Sequence, residues 1–99
     1  NVTVFIMNNQ ALGLVRQQQE LFYDKKYVAS VFESNPDFAG IAEKFGVSGI
    51  NLLQEENPMY AIARALSEPG PFIIDVPISL SENVYPMVPP GAANREMVG

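Results

Sequence analysis

The residues in this chain best suited to chemistry are two adjacent asparagines. Asn8 and Asn9 end the apolar run FIM and stand directly before a helix-like pattern, in the stretch FIMNNQALGLVRQQQ. Asparagine side chains offer neutral oxygen ligands, which suit Mg²⁺ when a carboxylate and phosphate oxygens complete the shell. A strand that ends where a helix begins also aims the helix's free N–H groups at the same spot, and these favour anions. The junction reads as a place for a phosphate with its metal ion. A plainer reading stands beside it, in which Asn9 is only the helix N-cap. Gly13 has the same two faces: close backbone approach to a ligand, or a tolerated glycine at a helix start.

Composition removes several other chemistries. The chain of 99 residues contains no cysteine and no histidine. Disulfides and thiolate nucleophiles are therefore excluded. So are the usual zinc sites and histidine general acid–base catalysis. The formal net charge of −5 argues against a nucleic-acid partner, and the six Lys and Arg residues form no stripe. No apolar run approaches the roughly 20 residues that span a bilayer. Nor is there a charged segment followed by an apolar one at the N-terminus, so no signal peptide is read and a cytoplasmic location is expected. The chain starts at Asn1 and enters a strand at once, which reads as a piece of something longer.

The elements that must position the two asparagines follow from periodicity. Val2–Met7 is β-branched and apolar, as expected of a strand buried on both faces of a parallel sheet. Ala11–Tyr23 reads as a helix whose residues 11, 14, 15, 18 and 22 share one face. Gln18 is the only polar member of that stripe. It reads either as an edge residue reaching water or as a functional departure. Asn35-Pro36-Asp37 opens a short helix over Phe38–Phe45, stopped by Gly46. Val47–Leu53 is a weaker strand. Asn57-Pro58 caps and starts a helix over Met59–Leu66, and Phe72–Val76 is a third strand after the break at Pro69-Gly70-Pro71. This β-α-β-α-β alternation predicts a three-layer αβα fold with parallel strands and right-handed crossovers. Residues 1–76 form that part, and residues 77–99, rich in proline, form an extended tail anchored by Val84, Tyr85, Met87 and Val88. In such a sheet Asn8 and Asn9 lie beyond the carboxyl end of a strand, where ligands bind.

The stretch MNNQALGLVRQQQ resembles the second half of the thiamine diphosphate signature, which opens with Gly-Asp-Gly and closes with Asn-Asn. NNQALGLVRQQQELFY together with PGPFIIDV and ENVYPMVPPGAA resembles the C-terminal segment of the acetolactate synthase large, catalytic subunit. Gln18 and the PPGAAN ending look most like the isozyme I branch. The resemblance implies the C-terminal half of a thiamine diphosphate-binding domain, in an enzyme that decarboxylates pyruvate and joins the product to a second 2-oxo acid. The products would be 2-acetolactate or 2-aceto-2-hydroxybutyrate, for branched-chain amino-acid biosynthesis. Pyruvate oxidase or another 2-oxo-acid carboligase is the alternative within the cofactor class. A free-standing, non-enzymatic α/β binding module is the alternative outside it.

Carried over residue by residue, the resemblance makes Asn9 the side-chain Mg²⁺ ligand and the Ala11 carbonyl another. Leu12, Gly13, Leu14 and Val15 would line the cofactor's diphosphate and thiazolium. Leu14 and Gln18 would shape the pocket of the second substrate; many relatives have Met and Trp there. The Gly-Asp-Gly motif, the activating glutamate and the FAD site of the family are expected outside this segment, so no catalytic residue is assigned within it and the isolated chain is expected to be inactive. Implied partners are 2-oxo acids, the rest of the catalytic subunit, further copies in a homo-oligomer and a small regulatory subunit, with no nucleic acid and no membrane.

Overall fold

The computed structural model describes residues 1–99. Three parallel strands make one sheet: β1 (Thr3–Asn8), β2 (Ser48–Asn51) and β3 (Phe72–Pro77), in the spatial order β1-β3-β2. Three α-helices connect them in sequence, α1 (Gly13–Phe22), α2 (Phe38–Lys44) and α3 (Pro58–Ser67). The β-α-β-α-β fold with parallel strands is the one the sequence predicts.

Local signals set the boundaries. Asp37 caps α2 by accepting from the Gly40 N–H at 3.0 Å. Gly46 follows that helix at φ +73°, a conformation that costs glycine nothing. Asn57 caps α3 by accepting from Tyr60 N–H at 3.1 Å, with Pro58 in the first turn. Strand β2 is shorter than its apolar run. Asn51 turns its side-chain oxygen onto the Leu53 N–H at 2.9 Å, which winds Leu52–Gln54 into a 3₁₀ turn.

The core lies under β3. Ile74 is fully buried, and it packs with Phe72, Ile50, Leu52 and the two alanines, Ala61 and Ala65, that α3 lays against the sheet. Alanines four residues apart share one helix face and let the helix come close.

Two expectations about burial are overturned. Strand β1 is not buried on both faces: Val4, Phe5 and Met7 are exposed. It is an edge strand, paired only with β3, and the helices that cover the sheet, α2 and α3, pack over β2 and β3 instead. The apolar stripe of α1 does not face the core either. Leu14 is 61% exposed and Val15 42%, whereas Arg16 and Gln17 are the buried residues of that helix. A polar side chain can be buried when every polar atom finds a partner, and Gln17 meets that condition. Its Nε2 donates to the Val84 carbonyl at 2.8 Å and its Oε1 accepts from the Val84 N–H at 2.9 Å. Gln17 thus clips the C-terminal tail to α1 as a neighbouring strand would. The tail anchor at Val84 is its backbone, since the side chain is 76% exposed. Beyond it the tail closes on itself, with Met87 and Val98 exchanging N–H···O bonds at 3.0 and 2.8 Å.

Candidate functional site at the carboxyl ends of the strands

The carboxyl ends of all three strands present polar residues to one place. Asp75 of β3 is in register with Ile6 of β1 and Asn51 of β2, and Asn8 ends β1 two residues further on. Alternation along a strand puts Ile6 and Asn8 on the same face. The Asp75 carboxylate, 3% exposed, accepts from Asn8 Nδ2 at 3.0 and 3.3 Å and from Asn51 Nδ2 at 3.4 Å. Asn8 Oδ1 in turn accepts from the Gln10 N–H at 3.2 Å and from Asn35 Nδ2. The junction between β1 and α1 is therefore tied to the middle of the sheet by these side chains as well as by the backbone, where the Ile78 N–H donates to the Asn8 carbonyl at 3.0 Å.

Asn9 does not cap α1. That helix starts at Gly13 with Leu12 in the cap position and no side-chain cap bond. Instead Asn9 Oδ1 accepts from the Ala11 N–H at 3.1 Å, closing an Asx turn directly after the one made by Asn8. Gln10, between the two, adopts φ +58°. The loop is pinned from the other side by an antiparallel bridge, Ala11 opposite Val31, with Leu12 N–H donating to Ser30 O at 2.8 Å and Phe32 N–H to Gln10 O at 2.9 Å.

This arrangement leaves particular groups without partners. The N–H groups of Gly13, Leu14 and Val15 make no hydrogen bond within the chain, and the first turn of α1 holds no acidic residue. Bare first-turn amides without a competing carboxylate are what a phosphate oxygen needs. The Ala11 carbonyl accepts no hydrogen bond. Asn9 Oδ1 has one donor on it and a second lone pair to offer. Two neutral oxygens of this kind fit part of a Mg²⁺ shell, completed by phosphate oxygens and a carboxylate. They do not make a metal site by themselves, and the chain has no cluster of three or more His, Cys, Asp or Glu able to hold an ion.

Gly13 has a clear steric reason. A Cβ added there would lie 2.7 Å from Asn9 Nδ2, so the glycine makes room for the asparagine side chain. Gln18 is half-buried, and its side chain makes no hydrogen bond with the rest of the chain. With Val15, Gln19, Tyr23 and Lys26 it lines an open groove of about 330 Å³ on the outer side of α1. Leu14, next to it in the stripe, is exposed. The structure thus brings Asn9, Ala11 and the first turn of α1 together, and sets Gln18 more than a turn away along the same helix.

Sequence reasoning missed Asp75, Asn51 and Asn35, and gave Asn8 no separate role. The signal available was a charged residue inside the otherwise apolar run FIIDV, which is unusual enough to ask what it pairs with.

Comparison with known proteins agrees with this geometry. Residues 1–76 match the family model described as thiamine pyrophosphate enzyme, C-terminal TPP binding domain. The chain is 46% identical over 99 residues to the acetolactate synthase isozyme 1 large subunit of Escherichia coli (strain K12), covering 100% of this chain and 18% of that protein. It is 48% identical over 99 residues to the acetolactate synthase large subunit of Parasynechococcus marenigrum (strain WH8102), covering 99% of this chain and 16% of that protein. The isozyme 2 large subunit of E. coli is 39% identical over 95 residues, covering 96% of this chain and 17% of that protein. The chain therefore spans less than one fifth of the length of these relatives. No helix of the chain is long and apolar enough to cross a membrane. With three parallel strands, a bare helix N-terminus at their carboxyl ends and a family match over residues 1–76, the chain belongs to the C-terminal TPP-binding domain family of thiamine pyrophosphate enzymes and is homologous to acetolactate synthase large subunits.

Proposed function

We propose that this segment supplies one wall of the thiamine diphosphate site of an acetolactate synthase, a cytoplasmic enzyme that condenses pyruvate with a second 2-oxo acid. The observation that carries the reading is the bare first turn of α1 beside the unpaired Ala11 carbonyl. In this reading the N–H groups of Gly13, Leu14 and Val15 hold the diphosphate. Asn9 Oδ1 and the Ala11 carbonyl hold Mg²⁺, and Leu12 covers the same region. When bound, the cofactor supplies the carbanion chemistry of decarboxylation and carbon–carbon bond formation. The residues of this chain bind, orient and keep water from the diphosphate end. They move no proton. Residues 1–76 serve as the cofactor-binding part and residues 77–99 as the tail beside it.

The groove at Gln18 holds the second 2-oxo acid, with Leu14 at its edge. FAD, the charged metal ligand and the activating glutamate belong outside residues 1–99, and the 99-residue chain alone is inactive. The active protein is a homo-oligomer with a small regulatory subunit. Gln18 and the PPGAAN ending favour the isozyme I branch.

The test is Asn9→Ala in the full-length protein. Loss of the Asx turn alone costs about 1 kcal/mol of stability. Loss of a metal ligand raises the Mg²⁺ concentration needed for cofactor retention at least about tenfold, equivalent to about 1.4 kcal/mol. Cofactor retention by equilibrium dialysis across a Mg²⁺ series separates the two. A lowered melting temperature with an unchanged Mg²⁺ midpoint rejects Asn9 as a ligand.

A further inference from the structure

Asp75 is the most deeply buried charged side chain of the molecule, and the ligand set above does not use it. A buried carboxylate is costly unless its oxygens are well satisfied. No Lys or Arg pairs with this one; its side-chain partners are the Nδ2 groups of Asn8 and Asn51. That choice of partner has a directional effect. A carboxamide has a donor end and an acceptor end. With Asn8 Nδ2 claimed by Asp75, Asn8 Oδ1 must face the loop, where it accepts from the Gln10 N–H and from Asn35. Turned over, Asn8 would set its oxygen against the carboxylate. Asp75 thereby fixes the first of the two consecutive Asx turns. The second, Asn9 onto Ala11, follows from the left-handed Gln10 that the first one holds.

We propose that Asp75 is a positioning residue for the metal–diphosphate site: its buried carboxylate orients Asn8, and the Asn8–Gln10 turn sets Asn9 Oδ1 and the Ala11 carbonyl on the ion. The proposal rests on the site reading given above. A carboxamide at position 75 cannot do the same work. Asn8 Nδ2 lies against both carboxylate oxygens, at 3.0 and 3.3 Å, so an amide at 75 sets its own NH₂ donor against that donor in either orientation, and Asn51 cannot turn over to help because its oxygen holds the Leu53 N–H.

The experiment measures two quantities on the full-length protein: the melting temperature without cofactor, and the Mg²⁺ midpoint for thiamine diphosphate binding by dialysis. Asp75→Asn is expected to raise the midpoint about tenfold or more, as loss of a group that orients a metal ligand does. Asn8→Ala cuts the same link from a half-buried edge residue and is expected to act alike, which keeps the test open if Asp75→Asn does not fold. The exchange Asn8→Asp with Asp75→Asn restores the pattern. Asp at 8 accepts from the amide at 75, from Gln10 N–H and from Asn35, and Asn at 75 accepts from Asn51. This exchange is expected to bring the midpoint back to within about threefold of the parent, leaving most of the tenfold effect recovered. Asn9→Ala is the control. If Asn9→Ala raises the midpoint while Asp75→Asn and Asn8→Ala lower only the melting temperature, Asp75 is structural and the proposal is wrong. If the exchange fails to recover the midpoint, orientation is not the cause and the proposal is again wrong. If Asn9→Ala leaves the midpoint unchanged, the site reading itself falls.

Discussion

Gly13→Ala should separate folding from cofactor binding by moving them independently. The backbone at position 13 is not in a conformation reserved for glycine, so alanine meets no strain there. In an unobstructed helix the exchange stabilises by up to about 1 kcal/mol. Here the new Cβ would meet Asn9 Nδ2 at 2.7 Å. Ordinary contact is about 3.5 Å or more, so Asn9 must retreat by roughly 0.8 Å. The easiest retreat is rotation of its side chain, which breaks the 3.1 Å bond from the Ala11 N–H. That bond is worth about 0.5–1.5 kcal/mol. The two effects nearly cancel, and the melting temperature without cofactor should shift by no more than a few degrees in either direction. Binding has no such compensation. Rotation carries Asn9 Oδ1 away from the place set by its turn, and the Ala11 carbonyl loses the turn that aims it. The Mg²⁺ midpoint for thiamine diphosphate should rise about tenfold, equivalent to about 1.4 kcal/mol. Differential scanning fluorimetry without cofactor and equilibrium dialysis across a Mg²⁺ series give the two numbers. An alanine variant that binds the cofactor at the parent's Mg²⁺ midpoint would refute the argument that Gly13 exists to seat Asn9.

Two further outcomes are expected of the full-length protein. Gln18→Trp should raise the ratio of acetohydroxybutyrate to acetolactate about tenfold when pyruvate and 2-oxobutyrate compete, since an apolar wall turns a methylene into about 1–3 kcal/mol; an unchanged product ratio removes Gln18 from the specificity pocket. Gln17→Ala deletes both bonds to the Val84 backbone at 2.8 and 2.9 Å, at about 0.5–1.5 kcal/mol for each hydrogen bond lost. Limited proteolysis should then cut residues 78–99 several-fold faster while the remainder stays resistant, and an unchanged cleavage rate would show that the tail is held by other contacts.

What the sequence made legible was local. Caps and breakers acted where they stand: Asp37, Asn57-Pro58 and Gly46 set the ends of α2 and α3 as read. The alternation of strand and helix patterns sufficed for a parallel sheet, because a β-α-β unit has few ways to close. Burial was read less well, for a physical reason. Periodicity says which residues share a face, and it does not say what covers that face. Ala11 precedes α1, but 14, 15, 18 and 22 do form one helical face, yet α1 turns it outward and buries Gln17, whose polar atoms are all satisfied by the tail. Hydrophobicity ranked Gln17 as a surface residue. Hydrogen-bond geometry, fixed by a segment 67 residues away, ranked it as buried.

The site divides along the same line. Asn9, Ala11 and the first turn of α1 are neighbours in sequence, so their grouping could be read from the chain. Asp75, Asn8, Asn51 and Asn35 come from four separate segments and meet only when β3 lies between β1 and β2. No spacing rule marks that meeting. One physical clue does: an ionisable residue in an apolar strand has to be satisfied by something. In a central strand, flanked by backbone whose own donors are spent on the ladder, only side chains from the neighbouring strands can reach it. That requirement explains why asparagines end both edge strands, at Asn8 and at Asn51. Each spends its amide on Asp75 and its oxygen on closing an Asx turn, onto Gln10 at the end of β1 and onto Leu53 at the end of β2. One buried charge thus shapes two loops at the carboxyl edge of the sheet, and the loop after β1 is the one that leads into the bare end of α1.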